Sequence, residues 1–238
     1  MRGITFFVQS TAYIYKKPRM LADYRQHIEI PCGDRNISCE LTLPASASTI
    51  IIFSQAGGAS RNSPRSRMMA NYLQQHGFGT LLPDLLDPEE EGSSGRQYDV
   101  KLLSRRLTAV TQWVIDRDLF DHYRLGYYAT STGAAAALRS AAMFPDDIGA
   151  IVCRGGRPDL AKAILPLVQA PTLLIVGDLD RYVLQLNRDA LDELSCSKQL
   201  EVVTGATYLF EGEKLNELAA SATEWFERHI HTSKLAAH

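Results

Sequence analysis

The chain has 238 residues, 45% of them hydrophobic and 22% charged, and its 25 Lys and Arg against 27 Asp and Glu leave a formal net charge of −2, a balance expected of one soluble folded domain. So small a charge gives no general attraction to nucleic acid or to an anionic membrane, and neither is expected as a partner. The longest apolar run near the start, 4–8, is too short for a signal or a membrane span, and Cys32, Cys39, Cys153 and Cys196 lack metal-ligand spacing, so no metal site is expected and a cytoplasmic location with reduced thiols is.

In chain order, residues 1–21 read as an arm, an extra strand or a disordered tail, and 22–238 as one α/β domain. Apolar and polar residues alternate over 24–30 and 37–43 around a turn-rich 31–36, which predicts a hairpin at a sheet edge. Short apolar runs at 49–53 and 79–82 predict buried parallel strands. Between them 66–75 places Met68, Met69, Tyr72 and Leu73 on one helical face, with the methionines as core filler and Gly77 as a stop. A polar loop, 87–95, precedes a helix carrying Leu103, Leu107, Val110 and Val114. Then come strand 124–128, helix 133–143, strand 148–153, helix 159–168, strand 172–176, helix 183–194, strand 200–203 and helix 214–229. Cys153, within its strand, reads as core. Strands alternating with helices imply a mostly parallel sheet covered on both faces.

The most informative stretch joins a strand to an alanine-rich helix through Ala129-Thr130-Ser131-Thr132-Gly133. This is the strand–turn–helix setting of a G-x-S-x-G nucleophile elbow, with Ala129 in place of the first glycine. In open parallel sheets ligands bind beyond the carboxyl ends of the strands, which directs attention to loops 54–65, 154–157, 177–182 and 204–211 as well as Ser131.

Five blocks at these strand ends carry a resemblance: GGASRNSPR at 57–65, ATSTGAAAA at 129–137, RGGRPDL at 154–160, PTLLIVGDLD at 171–180 and GATYLFE at 205–211. Through them the chain resembles the α/β-hydrolase fold, and within it the dienelactone hydrolase-like proteins that occur alone or fused to phosphoribosyltransferase domains. The likeness covers 22–228. It implies a mostly parallel sheet of about eight strands with helices on both faces, and a triad in the order serine, acid, histidine. The serine maps to Ser131. The acid maps to Asp180, with Asp178 as a rival expected to face solvent or cap the next helix. The histidine position, in a Gly-Ala-x-His pattern, holds Tyr208, and none of His27, His76, His122, His229, His231 or His238 reads as a substitute. The resemblance places the oxyanion donors at the Thr132 N–H and in the loop opening with Gln55-Ala56, where the family has His-Gly. Gln55 is either an added amide donor or a structural loop residue. Arg154 and Arg61 are candidates for binding a substrate carboxylate or phosphate; the competing reading pairs Arg154 and Arg157 with Asp159 or nearby carbonyls.

The expected function is a cofactor-free serine hydrolase acting on a small carboxylic ester, lactone or thioester through Ser131, and weakened by Tyr208. A phenol with a reference pKa near ~10 is a poor base at neutrality, and loss of one triad member costs roughly 10^4–10^6 in turnover. A neutral Tyr208 is expected to donate a hydrogen bond to Asp180. The alternative is a non-catalytic homologue, a pseudoenzyme binding a small molecule or protein in the same pocket. A third reading is lyase- or isomerase-type chemistry with Tyr208 as an acid.

Overall fold

A computed structural model describes residues 23–55, 61–87, 89–90 and 95–230. The expected N-terminal arm or strand therefore lies outside the described residues. Among the described residues eight strands are present: β1 (Tyr24–Cys32), β2 (Arg35–Leu43), β3 (Thr49–Ser54), β4 (Gly79–Pro83), β5 (Arg124–Thr130), β6 (Ile148–Arg154), β7 (Thr172–Gly177) and β8 (Lys198–Val203). They form one sheet in the order β1-β2-β4-β3-β5-β6-β7-β8. Pairings β1·β2 and β2·β4 are antiparallel and the remainder parallel. The helices are α1 (Pro64–Gln75), α2 (Val100–Ile115), α3 (Gly133–Ala141), α4 (Arg181–Glu193) and α5 (Glu213–Ile230).

Burial follows from this layering. β3 and β7 are buried at every position, which is why their sequences run apolar without alternating. One face of the sheet packs under α2, α3 and α4, where Leu103, Leu107, Val110 and the alanines of α3 meet Tyr127 and Ile151. The other packs under α1 and α5, joining Met69 and Leu73 to Leu218, Ala222 and Phe226. Met69 is core and Met68 packs against it. The hairpin strands at the edge reach further than their sequence pattern, to Cys32 and from Arg35, because Gly33 at φ +66 lets Gly33-Asp34 close a two-residue turn.

One element differs in kind from its sequence expectation. Where 159–168 reads as an α-helix, Pro158–Leu167 is wound in 3₁₀ turns with a break at Ala161 (φ −111°, ψ 15°). Pro166 has no N–H for a helical bond and in an α-helix its ring would clash with the carbonyl four residues back, which opposes an α-helix through the second half of the segment. Among the described residues no helix is long and apolar enough to cross a membrane.

Candidate active site at the carboxyl end of the sheet

β5 ends at Thr130, and Ser131 takes φ +52° before α3 begins at Gly133. A non-glycine residue in that region costs of order 1–3 kcal/mol and persists only where its surroundings hold it. Here they do. The Ser54 hydroxyl donates to the Gly133 carbonyl at 2.8 Å. The Ser131 carbonyl accepts from the N–H groups of Ala134 (3.1 Å) and Arg157 (3.0 Å), and the Thr132 hydroxyl donates to the Gln97 carbonyl at 2.6 Å. The Thr132 N–H has no acceptor among the described residues, so it is available to a ligand.

Ser131 opens onto a cavity of about 330 Å³. The same cavity is lined by Thr132, Gln55, Asp180, Tyr208 and Arg154, so the fold brings together six residues that the sequence singled out. Ala56 lies outside the described residues. Gln55 is buried, and its Oε1 accepts from the Ser66 hydroxyl at 2.5 Å, itself 2.5 Å from the Ser63 hydroxyl. That relay fixes the side chain and leaves its NH₂ without an acceptor among the described residues. The structural role expected of Gln55 is thus present, at a residue that lines the cavity.

The acid loop is arranged differently from expectation. Asp180, not Asp178, caps the following helix, accepting from the Val183 N–H at 3.3 Å. Asp178 accepts instead from the Gly205 N–H at 2.7 Å and ties the β7 and β8 loops together. No hydrogen bond joins Tyr208 to Asp180 or to Ser131. The Asp180 carboxylate is drawn to the positive end of α4, and Tyr208 stands 61% exposed at the mouth. The expected phenol–carboxylate bond is not made.

The arginines separate cleanly. Arg157 is held by Asp159 in a bidentate pair, 2.8 Å at both contacts. Arg154 has no carboxylate partner among the described residues; its Nε is buried without an acceptor, and its guanidinium lies 5.8 Å from the Phe210 ring centre. The pairing alternative holds for Arg157 and not for Arg154. Arg61 does not reach the cavity: its Nε is 3.1 Å from Asp84 and its Nη1 donates to Ser38 at 2.8 Å. Burial pushes the Asp84 carboxyl up while Arg61 pulls it down, a local pairing that holds the arginine at the end of β4.

Sequence reasoning missed Thr130, Tyr128 and Tyr98, which also line the cavity. Thr130 is 3% exposed, its hydroxyl has no partner, and it pairs in register with Arg154. The available signal was its position immediately before Ser131. Burial raises the Tyr128 pKa, with Arg154 opposing. Among the described residues no histidine lines the cavity, and no group of three or more His, Cys, Asp or Glu is placed to hold a metal.

A dienelactone hydrolase from Anabaena variabilis, known from its crystal structure, is 41% identical with a TM-score of 0.84, covering 87% of this chain and 99% of its own. The chain belongs to the dienelactone hydrolase family. This family member also shares its fold with carboxyl esterase 2 of the fungus Tuber melanosporum, at 14% identity and a TM-score of 0.70 over 91% of this chain and 90% of that one. Both carry the α/β-hydrolase fold that the eight-stranded sheet displays. A protein of Mycobacterium tuberculosis named as a candidate phosphoribosyl transferase is 42% identical over 206 residues, which are 86% of this chain and 46% of that protein. The dienelactone hydrolase family member thus spans about half the length of the curated relatives it matches. No protein-family model matches it.

Proposed function

We propose that this protein hydrolyses a small carboxylic ester, lactone or thioester that carries an anionic group, through Ser131 and at a low rate. The observation that carries the reading is Ser131 itself, held at positive φ over a cavity beside an unengaged Thr132 N–H. The Ser131 Oγ attacks the carbonyl carbon and the developing oxyanion is received by the Thr132 N–H, aided by the Gln55 amide. The Ser131 hydroxyl proton passes through solvent to the departing alkoxide or thiolate, and water then cleaves the acyl-serine, releasing the acid and returning a proton to the Ser131 Oγ. Arg154, which lines the cavity and has no carboxylate partner among the described residues, receives the substrate's anionic group, with Thr130 beside it.

The low rate follows from residue 208. Tyr208 stands where the family's histidine is expected, and an exposed phenol cannot supply the base that activates a serine. Oxyanion stabilisation and binding alone leave roughly 10^3–10^4 over water. A second reading, a binding module in which the same cavity holds an anionic small molecule without turnover, is favoured by the absence of hydrogen bonds linking Tyr208, Asp180 and Ser131. Turnover of 4-nitrophenyl acetate by the parent and by Ser131→Ala separates the two. A parent rate above buffer that vanishes in Ser131→Ala supports hydrolysis; equal rates for both proteins, with benzoate still bound, support the binding module.

A further inference from the structure

A second concavity lies at the far end of α3 from Ser131. Helices α2 and α3 and the segment Pro158–Leu167 enclose a groove of about 490 Å³ that shares no lining residue with the Ser131 cavity. Its floor is Ala142, Met143, Ile164 and Leu167, and its rim holds Lys101, Arg105 and Arg139. Met143 and Leu167 are 65% and 60% exposed, so a sizeable apolar surface is left open to water.

The rim is unusual in its charge. Lys101, Arg105 and Arg139 form no ion pair among the described residues, and the Arg139 Nε is shut off from solvent without an acceptor. A neighbouring cleft shows the contrast. There Arg35, Arg96 and Arg106 gather around Glu90, which is 2.5 Å from Arg106 and within 4 Å of the other two. Arg105 lines both places, and the groove has no counter-ion of its own among the described residues. A neutral apolar ligand would cover the floor and leave the three cationic side chains without a counter-ion. A purely polar anion would satisfy the rim and leave the floor wet.

We infer that this groove binds a medium-chain fatty carboxylate, its alkyl chain along Met143, Ile164 and Leu167 and its head group between Arg139, Arg105 and Lys101. The groove's volume falls in the usual range for small-molecule sites. The inference does not depend on catalysis by Ser131.

The test is calorimetric titration of the full chain with octanoate, decanoate and decanol, each kept below its micelle or solubility limit. Each buried methylene should add about fourfold in affinity, so decanoate should bind at least about tenfold more tightly than octanoate. Decanol should bind at least fivefold more weakly than decanoate. Arg105→Gln combined with Arg139→Gln should remove most of the preference for decanoate over decanol. Arg105→Gln alone, at an exposed position, should remove part of it and guards against a folding defect in the double variant. Equal binding of decanoate and decanol would overturn the inference. So would loss of decanoate binding in Arg154→Gln, which would place the ligand in the Ser131 cavity. Groove variants that leave decanoate binding intact but abolish self-association, or association with anionic vesicles, would assign the surface to a second copy or a membrane and equally overturn it.

Discussion

The Gly133 Cα lies so close to Ser54 that a Cβ built on it would overlap the Ser54 carbonyl, while the Ser54 hydroxyl donates back to the Gly133 carbonyl. This contact seats the first turn of α3 against the end of β3 and fixes the height of the elbow. Gly133→Ala should therefore cost about 3 kcal/mol or more, since the overlap is with backbone and no rotamer relieves it. Ser54→Ala should cost about 1 kcal/mol by removing one buried hydrogen bond from a carbonyl that the helix itself still engages. Urea unfolding of both variants checks this; a Gly133→Ala protein as stable as the parent would mean the elbow is not seated in this way.

The elbow was readable in the sequence because it is local: a strand, a tight turn of small residues and a helix lie within fifteen positions. The parallel strands were readable too, since burial on both faces leaves a continuous apolar run. What escaped is non-local or depends on a choice between neighbours. Arg61 was expected near the substrate and is claimed by Asp84, 23 residues away. Asp178 and Asp180 offer the same chemistry two positions apart, and only the path of the chain decides which caps α4. Arg154 and Arg157 were indistinguishable by type, yet only Arg157 lies beside Asp159. The 3₁₀ winding of Pro158–Leu167 was signalled by Pro166, whose effect the apolar pattern outweighed.

Glu90 gives the fold a pH-dependent contribution. The Arg106 hydrogen bonds, at 2.5 and 3.0 Å, outweigh burial and hold its carboxyl down at about 2. A carboxylate whose folded pKa lies below its unfolded value stabilises the protein above the unfolded value and loses that contribution as pH falls through the folded one. The contribution is at most about 3 kcal/mol and should fade between about pH 5 and pH 2. In Glu90→Gln the fall in stability over that interval should be shallower than in the parent, as read from urea midpoints. Parallel curves would remove Glu90 from the account.

Arg154 should discriminate between substrates by charge. For Arg154→Gln, kcat/KM on mono-4-nitrophenyl succinate should drop about 10- to 100-fold, the worth of a hydrogen-bonded charge, with the loss mainly in KM. On neutral 4-nitrophenyl acetate the same variant should match the parent. An equal drop on both esters would make Arg154 a structural residue of the elbow.

Hydrolysis limited by residue 208 is tested most directly by Tyr208→His. An imidazole with a reference pKa near ~6.5 would stand on the same loop as the present phenol, at the mouth of a cavity that already contains Ser131 and Asp180. The measurement is kcat/KM on 4-nitrophenyl acetate for the parent, Tyr208→His, and Tyr208→His combined with Ser131→Ala or with Asp180→Asn. The expected result is a rise of about 10^2 or more in Tyr208→His, abolished by Ser131→Ala and largely returned by Asp180→Asn. A Tyr208→His protein that unfolds at the same temperature as the parent and hydrolyses the ester no faster would contradict it.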